Sequence, residues 1–230
     1  QNNKPVNNSN FINYGTLECQ TFNITGTTTF TNAGLASLII GSPQGIAAGG
    51  ATGNIQTTGR VFNSNASYTY NSNVAQITGT GLPLTVSNLS ISSTDLMGSN
   101  TITLTNNNTT VTNALNLNNG FFAAGTSGNL QIAAGGTIFG TGGHNPNDAS
   151  AGNIVFLGAG STTGTLTGYP RLYSVIINGA VDFNGTSGQS AAMRRCNQDR
   201  TPQAQPRPLH AALWNGAGTI RLSDCRSCRW

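Results

Sequence analysis

Apolar residues along this chain come in short alternating pairs: Phe22/Ile24, Leu38/Ile40, Tyr68/Tyr70, Leu82/Leu84, Leu89/Ile91, Ile102/Leu104, Leu115/Leu117, Leu130/Ile132, Val175/Ile177 and Val181/Phe183. Alternation with a period of two puts one set of side chains on the inner face of a strand and the other on its outer face. Each run is short and is bounded by Gly, Asn, Ser or Thr, residues that let a backbone turn. No stretch of residues 1–192 keeps a helical 3.6 period over two turns. The pattern predicts an all-β body.

The pairs also recur. Leu89/Ile91 to Ile102/Leu104 is a step of 13 residues, the step to Leu115/Leu117 is 13 again, and the step to Leu130/Ile132 is 15. Three segments, AGGATGNIQ (48–56), AGTSGNLQI (124–132) and ASAGNIVF (149–156), share small residues, then Gly-Asn, then an apolar residue. Internal similarity at such spacing points to stacked repeats. The expected fold is a right-handed parallel β-helix, or β-solenoid, with repeated β-sandwiches as the rival. In a solenoid, Ile102 and Leu104 point inward while Thr101, Thr103 and Thr105 point out. Threonine suits such a strand and remains soluble. Asn and Gly supply the corners, and stacked Asn side chains can hydrogen-bond from one coil to the next.

Composition supports this reading. Charged residues make up 7% of 230 residues, Gly numbers 30, and hydrophobic residues reach 37%. Asn also numbers 30. A row of like charges along a stack would be destabilising, so a charge-poor chain suits it. Residues 1–192 carry Lys4, Arg60 and Arg171 against Glu18, Asp95, Asp148 and Asp182. The formal net charge of +4 comes from residues 193–230, where seven arginines face two aspartates. The body has no basic stripe, which excludes nucleic acid as its expected partner. No run of 18 apolar residues occurs, so no membrane-spanning helix or membrane insertion is expected. The chain begins at Gln1 without an apolar leader and reads as a processed or excised piece.

The segment TGNIQTTGRVFNSNASYTYNSNVAQITGTGLPLTVSNLSI (52–91), followed by TITLTNNNTTVTNALNLNNG (101–120), resembles the repeats of large secreted, adhesin-like surface proteins of Bacteroidetes bacteria. The likeness spans roughly residues 50 to 190, and its tyrosine-to-proline module, SYTYNSNVAQITGTGLPL, is the most specific part. The resemblance implies an extracellular, cell-surface β-solenoid with a structural or adhesive role and gives no catalytic residue. Its partners would be surface glycans, other cell-surface proteins or further copies of the chain. Proteins of this kind usually end in a sorting domain, which has no counterpart here.

Residues 193–230 are different material, with Arg, Pro, Cys and both tryptophans, Trp214 and Trp230. They read as a frame-shifted or disordered tail, or a separate basic appendage. Within it Cys225 and Cys228 have CxxC spacing, and Cys196 and His210 could complete a zinc set, although the gaps are irregular. His144, Asn145, Asn147 and Asp148, in the polar stretch 140–153 read as a strand-free loop, are candidate ligands for Ca²⁺ with a single carboxylate among them. Tyr68, Tyr70, Tyr169 and Tyr173 are candidates for stacking on sugars. A threonine array of the ice-binding type would need T-x-T on adjacent coils, and Ala114, Asn116 and Asn118 interrupt it. A polysaccharide lyase or hydrolase would need grouped carboxylates, whereas Glu18, Asp95, Asp148 and Asp182 are widely separated. The expectation is a non-enzymatic protein without a cofactor, with a carbohydrate-binding or carbohydrate-cleaving β-helix as the alternative.

Overall fold

The computed structural model describes residues 4–5, 9–93, 101–125, 128–144, 152–159, 161–166, 174–178 and 181–184, with short strands at 195–196, 219–221 and 228–229. Every regular element among them is a β-strand. The first turn of chain holds β1 (Lys4–Pro5), β2 (Phe11–Asn13) and β3 (Thr16–Glu18). The second holds β4 (Ile24–Asn32) and β5 (Ser37–Ile40). The third has β6 (Ile55–Phe62), β7 (Ser67–Tyr70) and β8 (Gln76–Ile77), and the fourth β9 (Thr85–Ser92) and β10 (Thr101–Thr103). The fifth turn has β11 (Thr109–Asn119) and β12 (Phe121–Ala123). The sixth has β13 (Asn129–Ile132), β14 (Thr137–Gly140) and β15 (Gly143–His144). Then follow β16 (Asn153–Phe156) with β17 (Ser161–Leu166), and β18 (Ser174–Ile177) with β19 (Val181–Asn184).

Each strand pairs in parallel with its counterpart one turn away, for example β5 with β7, β7 with β9, β9 with β11 and β11 with β14. This is a parallel β-solenoid, and it excludes the face-to-face sandwich, which is built from antiparallel sheets. The strands form one fourteen-stranded and two four-stranded sheets. In the remaining segment, β20 (Arg195–Cys196), β21 (Thr219–Arg221) and β22 (Cys228–Arg229) pair antiparallel: β22 with β18 and β20, β21 with β19.

The register corrects the repeat length. Leu89 pairs with Leu115, 26 positions on, so two of the 13-residue steps make one turn. Ile102 sits half a turn away, in the sheet of β8, β10, β12 and β15. Turn length varies, from 19 positions between Phe11 and Phe30 to 31 between Ile24 and Ile55. The long turn carries an extra loop between β5 and β6. Ile46 of that loop is fully buried; its N–H donates to Thr78 O and its carbonyl accepts from Gly81 N. Gly79 lies where these backbones meet, at φ +80, and an added Cβ would sit 2.2 Å from Ile46 O. The half-buried Arg60 holds the loop from the other side, donating to Thr57 O, Ala47 O and Gly50 O.

The core is a set of columns running along the stack. Leu38, Tyr68, Leu89, Leu115 and Ile138 lie in register and are fully buried, and Leu17 begins the same column. Ile40, Tyr70, Ile91 and Leu117 form a second column, also fully buried. Burying one such side chain contributes about 1.5–3 kcal/mol, which is how isolated pairs of apolar residues hold a threonine- and asparagine-rich chain together. Near the first turn, Phe11 stacks on Phe30 at 5.7 Å, and Phe62 tilts against Phe30 at 6.0 Å.

Two expected pairs depart from the pattern. In Phe22/Ile24, Phe22 is half-buried and lies in the turn before β4, where its N–H donates to Cys19 O. The second is Leu82/Leu84. Leu82 is buried but Leu84 is 61% exposed, because residues 80–84 form a turn rather than a strand. Pro83 between them cannot donate to a ladder.

The corners behave as the Gly-Asn segments foretell. Asn153 Nδ2 donates to Asn129 Oδ1 at 2.9 Å, and Asn129 Nδ2 donates to Asn108 Oδ1 at 2.9 Å, an amide ladder over three turns. Asn54 uses the same corner differently: its Nδ2 donates to Gln20 O and Phe22 O in the turn before, and its Oδ1 accepts from Ser42 N. At the corner after β4, Leu35 adopts φ 67 while 89% exposed.

Candidate functional site

The largest sheet presents an outer face. On β5 and β7 buried inward residues alternate strictly with half-buried outward ones; β9, β11 and β14 keep this over residues 88–91, 114–117 and 137–138 and break it elsewhere, in β11 at its register shifts. Two outward columns result. One runs Thr16, Ser37, Ser67, Asn88, Ala114, Thr137, and the other Glu18, Ile39, Thr69, Ser90, Asn116, Phe139. Among these residues Glu18 is the only charged one. The face is therefore a grid of hydroxyls and amides, interrupted by Ala114 in the first column and, in the second, by Glu18 and Ile39 at one end and Phe139 at the other.

Parts of the grid bond to themselves. Asn88 Nδ2 donates to Ser67 Oγ at 3.0 Å, and Asn113 Nδ2 donates to Asn88 Oδ1 at 2.8 Å. On the far side Asn118 Nδ2 donates to Ser92 Oγ at 3.3 Å. Between these two bonded rows, the side chains of Thr69, Ser90 and Asn116 make no hydrogen bond among the described residues.

The residues singled out from sequence fare unevenly. Tyr68 and Tyr70 are fully buried, so neither offers a ring to a sugar; this corrects that expectation. Their rings fill the core between leucine and isoleucine rungs. The Tyr68 hydroxyl donates to Asn63 O and the Tyr70 hydroxyl to Thr78 O, each at 2.8 Å. Burial raises both phenols; Asn32 partly offsets the rise at Tyr68, and Tyr68 adds to it at Tyr70. Tyr169 and Tyr173 lie outside the described residues. Among the described tyrosines Tyr14 is the exposed one, at 77%. It escaped the sequence reading because it stands alone at a corner, outside any alternating pair.

The stretch 140–153 is not free of strand. Gly143 and His144 form β15 and pair with Phe121 and Phe122, which removes His144 from the polar loop. Asn145, Asn147 and Asp148 lie outside the described residues, as do His210 and Cys225 of the cysteine set. The backbone places Cys196 opposite Cys228 across an antiparallel pair. Among the described residues no group of three or more His, Cys, Asp or Glu is gathered for a metal.

Cys19 is free and buried at the end of β3. Burial, then the neighbouring Glu18 carboxylate, pushes its thiol up to about 12. A thiol held neutral in this way is a poor nucleophile. Burial also lowers the Arg60 guanidinium. Among the described residues no helix is long and apolar enough to cross a membrane.

No family model, no curated protein and no solved structure matches this chain.

Proposed function

We propose that this chain is an extracellular structural and adhesive segment of a bacterial surface protein: a rigid spacer that presents a polar, uncharged face. The observation that carries the reading is the parallel stack from β4 to β19, which from β5 to β14 holds buried apolar columns inside and mainly hydroxyl and amide columns outside. Such a stack advances about 4.8 Å per turn through backbone pairing. It needs no charges or cofactor to do so, and it stays rigid because every turn is bonded to its neighbours. The resemblance of residues 52–91 and 101–120 to surface-protein repeats supports the same reading. The outer edge of β1, β2 and β3 has no partner among the described strands, and an open edge of this kind supports end-to-end self-association.

The test is surface accessibility on cells that produce the protein natively. Proteinase K applied to intact cells should remove the signal of an antibody raised against residues 9–166. A signal protected until the cells are lysed would overturn the reading.

A further inference from the structure

The strip left open on the outer face has a specific chemistry. Ile39, Thr69, Ser90, Asn116 and Phe139 stand one above another on five consecutive turns. The three central residues carry two hydroxyls and an amide, both donors and acceptors, and none is used among the described residues. Beside the three central residues, Ser67, Asn88 and Asn113 bond to one another on one side and Asn118 bonds to Ser92 on the other, so these side chains are engaged with each other. Phe139, 36% exposed, closes one end with an aromatic ring.

We propose that the column Thr69, Ser90, Asn116 and Phe139 is a binding strip for an extended neutral polysaccharide lying along the solenoid axis. This names the partner of the adhesive face and rests on that reading. The occupant follows from charge and polarity. An anionic polymer would require cations opposite its charges; the strip has none, and Glu18, one turn beyond Ile39 in the same column, adds a negative charge. A protein partner would require a cluster of apolar anchors at the centre, whereas the centre here is polar and the apolar residues stand at the ends. A neutral glycan offers repeated hydroxyls to the three central side chains and an apolar ring face to Phe139. From Ile39 to Phe139 the strip spans about 19 Å, four strand spacings, long enough for several sugar rings in a row.

The test is affinity gel electrophoresis against soluble neutral polysaccharides (a mixed-linkage β-glucan, an α-mannan and a xylan), with alginate and polygalacturonate as acidic controls. Cellulose and chitin pull-downs cover insoluble chains. The variants are Phe139→Ala and the triple Thr69→Ala, Ser90→Ala, Asn116→Ala, each checked by circular dichroism for an unchanged fold. At least one neutral polysaccharide should retain the wild-type protein, with retention unchanged as salt is raised. Both variants should weaken it by at least about five-fold. Retention by none of the neutral polymers, equal retention of the variants, or salt-sensitive preference for the acidic polymers would each overturn the proposal. So would a dimer abolished by Phe139→Ala in sedimentation, which would make a second copy the occupant. The cell-surface experiment is independent: a surface protein that binds no neutral glycan overturns the strip alone, and an intracellular protein that binds one overturns the surface reading alone.

Discussion

Leu115→Ala removes the middle of the longest core column. Leu115 is fully buried and is stacked in register between Leu89 and Ile138, which are also fully buried. The lost branch represents about three carbon groups, or about 2.4 kcal/mol of transfer free energy. The cavity left behind adds to that, because the strand spacing is fixed by ladder hydrogen bonds and the neighbouring turns cannot close the gap. The total expected loss is about 3–5 kcal/mol. Asn116 beside it points out and makes no hydrogen bond among the described residues, so Asn116→Ala should cost less than about 0.5 kcal/mol. Urea unfolding followed by far-ultraviolet circular dichroism reads both. In a stack whose turns contact only their neighbours the damage is local, so hydrogen exchange should accelerate most in β9, β11 and β14. A loss below about 1 kcal/mol for Leu115→Ala, or a larger loss for Asn116→Ala, would refute the assignment of inward and outward faces.

Alkaline pH should destabilise the protein in a defined window. Below pH 9 the Cys19 thiol is neutral in both folded and unfolded chains. Above it the unfolded thiol ionises while the folded one, raised to about 12, does not, so stability falls as pH climbs from 9 toward 12, by up to about 4 kcal/mol. The Tyr68 and Tyr70 phenols add to the fall once the unfolded tyrosines ionise, above about pH 10. Urea midpoints measured between pH 7 and 10 should fall in the wild type and stay flatter in Cys19→Ala; equal slopes would show that the thiol is not buried. Asn129→Ala should cost about 1–2 kcal/mol by breaking both of its amide contacts, and a double-mutant cycle with Asn153→Ala should show coupling near 1 kcal/mol; simple additivity would mean that the ladder is not formed. Leu35→Gly should raise the urea midpoint, gaining about 0.5–1 kcal/mol, because an exposed leucine there occupies a left-handed backbone conformation; a destabilised variant would contradict that geometry.

The inner columns were legible in the sequence because each strand declares its own two inward residues, as Leu38/Ile40 and Leu115/Leu117 do. The corners were legible too, since Gly followed by Asn before an apolar residue marks the entry to β6, β13 and β16. The turn length was not, because the loop around Ile46 and the corner loops differ in size from turn to turn, and a 13-residue step marks a change of sheet rather than a full coil. Tyr68 and Tyr70 alternate like any core pair; their burial depends on Asn63 O and Thr78 O being in reach of the hydroxyls, which spacing does not reveal. The outer strip was hidden for the same reason as the turn length. Thr69, Ser90, Asn116 and Phe139 are separated by 21, 26 and 23 positions and meet only when the coils are stacked.

Methyl-labelled nuclear magnetic resonance tests the stacking most directly. The solenoid predicts Overhauser contacts between the Leu89 and Leu115 methyls and between those of Leu115 and Ile138, residues 26 and 23 positions apart, together with the backbone amide pattern of parallel strands. Absence of both methyl contacts, with the close α-proton pairs of antiparallel strands across β9 and β11, would contradict it.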